Sequence, residues 1–180
     1  MAELPGIGGP LRVGVALGAG SAAALAEIGA LEVLAEAAIP IHQVAGTSAG
    51  AVVGAALAAD RLRGLRECLE GLSRRQVLRL FDVGWPREGF LRGRRALELV
   101  SPHLGDRIEA LPRPFAAVAT DLRTGDEIVV REGPVFDAVR ASIAIPGIFT
   151  PWRVDGRLLV DGASWIRFRS RPHERSAPLS

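Results

Sequence analysis

Apolar and polar positions divide the chain into short runs and helical stripes. Leu11 to Leu17 reads as a buried first strand, and Gly18-Ala19-Gly20-Ser21 follows as a small-residue loop. From about Ala22 to Ala37, Leu25, Ile28, Leu31 and Leu34 recur at helical spacing, with Glu27, Glu32 and Glu36 elsewhere on the surface. Ile39-Pro40 ends this helix, and Ile41 to Ala45 forms a short, mostly apolar strand. An Ala-rich buried helix then spans Ala51 to Ala59, with Asp60 as its first charge. Strand, helix, strand, helix in that order predicts a right-handed parallel α/β unit.

The next third is less specific. Leu62, Leu65, Leu69 and Leu72 mark an amphipathic helix, residues 74–81 a second short amphipathic piece, Asp82 to Phe90 a turn with aromatic residues, and Gly93 to Leu104 a further helix. A lipid-touching cover carrying Trp85 or Phe90 is one reading, and ordinary helical packing with a solvated Arg face is the favoured one. Pro114 to Thr120 is a second buried strand, and Ile128 to Arg131 another. Val135 to Ala144 is helical and stops at Ile145-Pro146-Gly147. Trp152 to Val160 folds as a hairpin about Asp155-Gly156 and delivers Asp161-Gly162-Ala163 at a strand end. The fold expected is α/β, with a mostly parallel central sheet sandwiched by helices over residues 11–163. Residues 1–10 form an N-terminal extension and 164–180 an irregular Arg-rich tail.

The 180 residues suffice for one core, and an apolar fraction of 48% marks a globular chain. The net charge is only +2, all 22 basic residues are Arg, and acids are interleaved with them, so no basic face for nucleic acid stands out. The lone Cys68 excludes an intramolecular disulfide and a Cys-based metal cluster, and it reads as a core residue. Met1 to Pro10 hold no apolar signal segment. The uncharged run from Ile39 to Ala59 includes Pro40, His42, Gln43 and three glycines, so a buried strand and helix explain it better than a membrane span. The expected location is cytoplasmic, with peripheral contact at the inner membrane face.

The chemistry centres on Gly46-Thr47-Ser48-Ala49-Gly50, a G-x-S-x-G nucleophile elbow between a strand and a helix. Gly46 and Gly50 leave room for a sharp turn that exposes Ser48, and the helix dipole favours negative charge there. A small-residue turn without chemistry is the bland alternative. Gly18-Ala19-Gly20-Ser21-Ala22-Ala23 also fits a dinucleotide fingerprint, but the second strand ends without the acidic residue that reading needs. The same loop, at the carboxyl end of a neighbouring strand, suits an oxyanion hole built from backbone amides, and geometry favours this. Asp161 reads equally well as a carboxylate facing a site or as one capping Gly162 and Ala163.

Together the loop at Gly18 to Ser21, the elbow, Ala119 to Gly125, Ala141 to Gly147 and Asp161-Gly162-Ala163 resemble the patatin-like phospholipase family in its bacterial form, over about Val13 to Ala163. The resemblance implies a lipid acyl hydrolase with Ser48 as nucleophile and Asp161 as its base. It also implies an oxyanion held by the amides of Gly18, Ala19, Gly20 and Ser21, no metal or cofactor, and a phospholipid or other acyl-ester substrate. Of His42, His103 and His173, only the last follows Asp161 as a triad order would require, so an ordinary carboxylate of pKa about 3.9 would serve as the base. Ala23 and Ala24 stand where the family usually has Arg or Lys followed by Gly, and the chain ends soon after the Asp-Gly-Ala turn. These departures support an alternative expectation, a truncated and inactive lipid-binding relic. A nucleotide-binding α/β module is the weaker one.

Overall fold

A computed structural model describes residues 12–20, 24–72 and 97–164. The amphipathic piece at 74–81, the aromatic turn at 82–90, the start of the helix expected from Gly93, Ser21, Ala23 and the tail beyond Ser164 lie outside those residues.

Six strands make one sheet: β1 (Val13–Leu17), β2 (Ile41–Thr47), β3 (Phe115–Asp121), β4 (Glu127–Val130), β5 (Trp152–Val154) and β6 (Arg157–Asp161). The order is β1-β2-β3-β6-β5, with β4 pairing β3 off this path. Of the mostly parallel sheet expected, β1, β2 and β3 pair parallel, while β4, β5 and β6 join antiparallel. The hairpin turns where foreseen. Asp155 and Gly156 both have positive φ, 47° and 77°, the backbone a two-residue turn needs to match strand twist.

Among the described residues, four complete α-helices accompany the sheet: α1 (Ala24–Glu36), α2 (Ala49–Ala58), α3 (Leu62–Glu70) and α4 (Val135–Ser142). The small side chains of α2 let it settle closely on β2, burying Ala51, Val53, Ala55, Ala56 and Ala58 completely. The described helices touch one another on this face of the sheet, α1 with α2 and α3, and α2 with α4. On the opposite face of the sheet Gly14, Gln43 and Ala116 line an open groove of about 650 Å³.

Two details depart from the sequence pattern. Ile28 and Leu31 are buried as expected, but Leu25, at the start of the same stripe, is 51% exposed. In the first turn of α1 it is Ala24 that packs against the core, so the inward stripe runs through positions 24, 28 and 31 and Leu25 lies beside it. Cys68 is half-buried rather than core, its Sγ 3.8 Å from the Leu99 carbonyl. No described helix is long and apolar enough to cross a membrane.

Candidate active site

Strand register brings the two halves of the site together. Thr47, the last residue of β2, pairs with Val118 of β3, while Asp161, the last residue of β6, pairs with the next residue, Ala119. Because β4 occupies the other edge of β3 from Ala117 to Thr120, β2 and β6 meet end to end along one edge, and a serine and a carboxylate 113 positions apart in the chain (161 − 48) emerge beside the same point of that strand.

Ser48 connects β2 to α2 with φ 56° and ψ −123°, a conformation that a side chain rarely adopts and that surrounding structure must hold. The flanking glycines are required by contact. A Cβ on Gly46 would stand 2.3 Å from the Gly50 carbonyl oxygen, and one on Gly50 would stand 2.5 Å from the Leu17 carbonyl oxygen. Gly50 N–H donates to the Gly18 carbonyl at 3.1 Å, which stitches the elbow to the Gly-rich loop. The amide of Ala49, first in α2, donates to no described residue.

Asp161 is only 3% exposed. Its Oδ1 accepts the Ala163 N–H at 2.8 Å, so the turn-capping role read from the sequence is present. Its Oδ2 is buried without a hydrogen-bond partner among the described residues. The Ser48 hydroxyl is near enough to stabilise the carboxylate but does not close a well-aligned hydrogen bond to it, a looseness common in sites without substrate. Burial raises the Asp161 pKa above the ordinary carboxylate value, and the Ser48 hydroxyl and Ala163 amide oppose that rise. The ordinary value assumed from sequence is corrected accordingly.

The Gly-rich loop follows β1, next to β2. Gly18, Ala19 and Gly20 are exposed, and the amides of Ala19 and Gly20 donate to no described residue. Gly18 differs: its N–H donates to Glu27 Oε1 at 2.9 Å. Glu27 therefore does not sit idle on the outer face of α1 but folds back to the loop. Its Oε2 is buried without a hydrogen-bond partner among the described residues, and burial raises its pKa.

Sequence reasoning missed two contacts. Ser142, at the end of α4, accepts the Ser48 N–H at 2.9 Å and donates to the Val118 carbonyl at 2.6 Å. It lies inside the Ala141–Gly147 stretch that carries the family resemblance, and that was its signal. Glu27 gave none beyond its position nine residues after Gly18.

Neither described histidine hydrogen-bonds Ser48 or Asp161. His42 Nδ1 accepts the Val13 N–H at 3.1 Å, and His103 packs against Gly64 of α3. His173 lies outside the described residues. Among the described residues no three His, Cys, Asp or Glu side chains converge as metal ligands.

Comparison with known proteins agrees with this architecture. The patatin-like phospholipase family model matches residues 15–170. Uncharacterized NTE family proteins of Mycobacterium bovis and Mycobacterium tuberculosis are 45% identical over 152 residues, 84% of this chain and 42% of theirs. A neuropathy target esterase of Drosophila sechellia is 32% identical over 158 residues, 83% of this chain and 11% of that protein. The crystal structure of VipD from Legionella pneumophila superposes with a TM-score of 0.53 at 16% identity, over 85% of this chain and 46% of that one. The chain thus spans less than half the length of the curated relatives it matches. With the elbow, the Gly-rich loop and Asp161 in one ordered frame, the chain belongs to the patatin-like phospholipase family.

Proposed function

We propose that this chain carries the active site of a serine hydrolase of lipid acyl esters, of phospholipase, lysophospholipase or esterase type. Ser48 Oγ attacks the ester carbonyl carbon while Asp161 takes its proton. The alcohol departs with a proton returned from Asp161, and water, activated by the same carboxylate, hydrolyses the acyl-enzyme. The observation that carries the reading is Ser48, held at φ 56° beside a buried carboxylate whose Oδ2 has no hydrogen-bond partner among the described residues. The raised pKa makes Asp161 a stronger base than an exposed carboxylate.

The oxyanion is assigned to backbone amides that donate to no described residue, those of Ala19, Gly20 and Ala49. The N-terminal end of the α2 dipole adds to their field. Gly18 contributes by carrying the loop, since its amide is already engaged by Glu27. A substrate screen with acyl esters and phospholipids on the wild type and Ser48→Ala tests the reading. Hydrolysis that disappears with the serine supports it, and hydrolysis that persists at the same rate contradicts it.

One observation favours a second reading, a relic that keeps the site without turnover. The Glu27 carboxylate places negative charge on the loop that must face the oxyanion. Hydrolysis by the wild type removes this alternative. The location expected from sequence, cytoplasmic with peripheral contact at the inner membrane face, remains part of the same proposal.

A further inference from the structure

The strained backbone at Ser48 needs something to hold it, and its own helix does not. As the residue before α2, Ser48 presents an N–H that no intrahelical carbonyl can accept. That N–H donates to Ser142 Oγ, and the Ser142 hydroxyl proton goes to the Val118 carbonyl. The direction of both bonds is fixed, because a hydroxyl has one proton to give and the amide can only donate. Ser142 is fully buried, so water cannot replace it. Two residues later the Ala144 carbonyl accepts the Asp161 N–H at 2.9 Å. The end of α4 therefore grips both members of the dyad, one through a side chain and the other through the backbone.

We propose that Ser142 is a positioning residue of the site: its hydroxyl, bridging the Ser48 amide to the Val118 carbonyl, fixes the nucleophile's backbone and aims Oγ at Asp161. This rests on reading Ser48 as the nucleophile. Removing the hydroxyl takes the acceptor from the Ser48 N–H and a donor from the Val118 carbonyl, and frees the elbow to relax toward an ordinary backbone. A small displacement of a nucleophile is costly in rate while leaving substrate contacts in place.

The test compares the full chain with Ser142→Ala, Ser142→Thr and a core control, Leu65→Val, which lies on α3. The rate of fluorophosphonate labelling, kcat and KM for an ester, Tm, and hydrogen exchange of the Ser48 amide are measured on each. Ser142→Ala should label and turn over on the order of tenfold to a hundredfold more slowly with KM within about twofold. Ser142→Thr, which keeps the hydroxyl, should recover most of the rate, and Leu65→Val should lose none beyond what its Tm accounts for. Labelling of Ser142→Ala at the wild-type rate, or an equal loss in Leu65→Val at matched Tm, overturns the proposal. If the wild type itself does not label, the nucleophile reading fails, and amide exchange still decides the holding role. Faster exchange at Ser48 confined to Ser142→Ala supports that role, and unchanged exchange overturns it.

Discussion

Asp121 and Asp161 close neighbouring strands and are almost equally buried, 4% and 3% exposed, yet their surroundings push them in opposite directions. Asp121 Oδ1 accepts the N–H groups of Arg123 at 2.9 Å and Thr124 at 3.3 Å, and Oδ2 faces Arg157 at 3.4 Å. The Arg123 amide, followed by these other partners, holds its pKa below the ordinary carboxylate value against the effect of burial. Asp161 has one amide, a nearby serine hydroxyl and an oxygen with no hydrogen-bond partner among the described residues, and burial wins. Partners, not depth, separate a carboxylate that caps a loop from one left able to accept a proton. The unmet hydrogen bond is a cost to folding that the site keeps.

The strongest way to break the comparison is to neutralise each carboxylate in turn. Asp161→Asn, like Ser48→Ala, should lower kcat by at least about a thousandfold, while Asp121→Asn should stay within a few-fold of wild type. Steady-state kinetics on one ester substrate decides it. Next in size is Gly46→Ala, whose Cβ would meet the Gly50 carbonyl oxygen at 2.3 Å. It should cost roughly 2 kcal/mol or more in urea unfolding and disable the elbow.

The two aspartates should also differ in the sign of their effect on stability. A raised folded pKa means that protonation favours the folded state. Asp161→Asn should therefore raise Tm at neutral pH, and the gap to wild type should shrink as pH falls through the folded pKa. Asp121 stabilises above its unfolded pKa, so Asp121→Asn should lower Tm at neutral pH, with that gap also closing in acid. The smallest expected effect is at Glu27. Replacing it with Gln removes negative charge from the Gly18 loop and should raise kcat by about twofold. The gain should vanish below the raised pKa of Glu27, where both side chains are neutral.

Local features were legible in the sequence. Periodicity gave the strand and helix succession of the first 60 residues, Asp155-Gly156 gave the hairpin, and the spacing of Gly46, Ser48 and Gly50 gave the elbow. What remained hidden depends on register and burial. No local pattern says that β6 runs antiparallel beside β3 so that Asp161 arrives next to Ser48. Ser142 reaches Ser48 across 94 residues, and Glu27 looks like any surface acid of an amphipathic helix until α1 is packed behind the loop. The pKa of Asp161 was also out of reach, because a shift depends on which partners are missing, and a sequence does not display absent partners.

The most direct test of the pairing is the pH dependence of fluorophosphonate labelling of wild type, Asp161→Asn and Asp121→Asn under one protocol. The account predicts that wild type and Asp121→Asn label with the same acid limb, lying above the ordinary carboxylate value of about 3.9, and that Asp161→Asn scarcely labels. Labelling of Asp161→Asn at the wild-type rate, or its loss in Asp121→Asn while that variant remains folded, would contradict it.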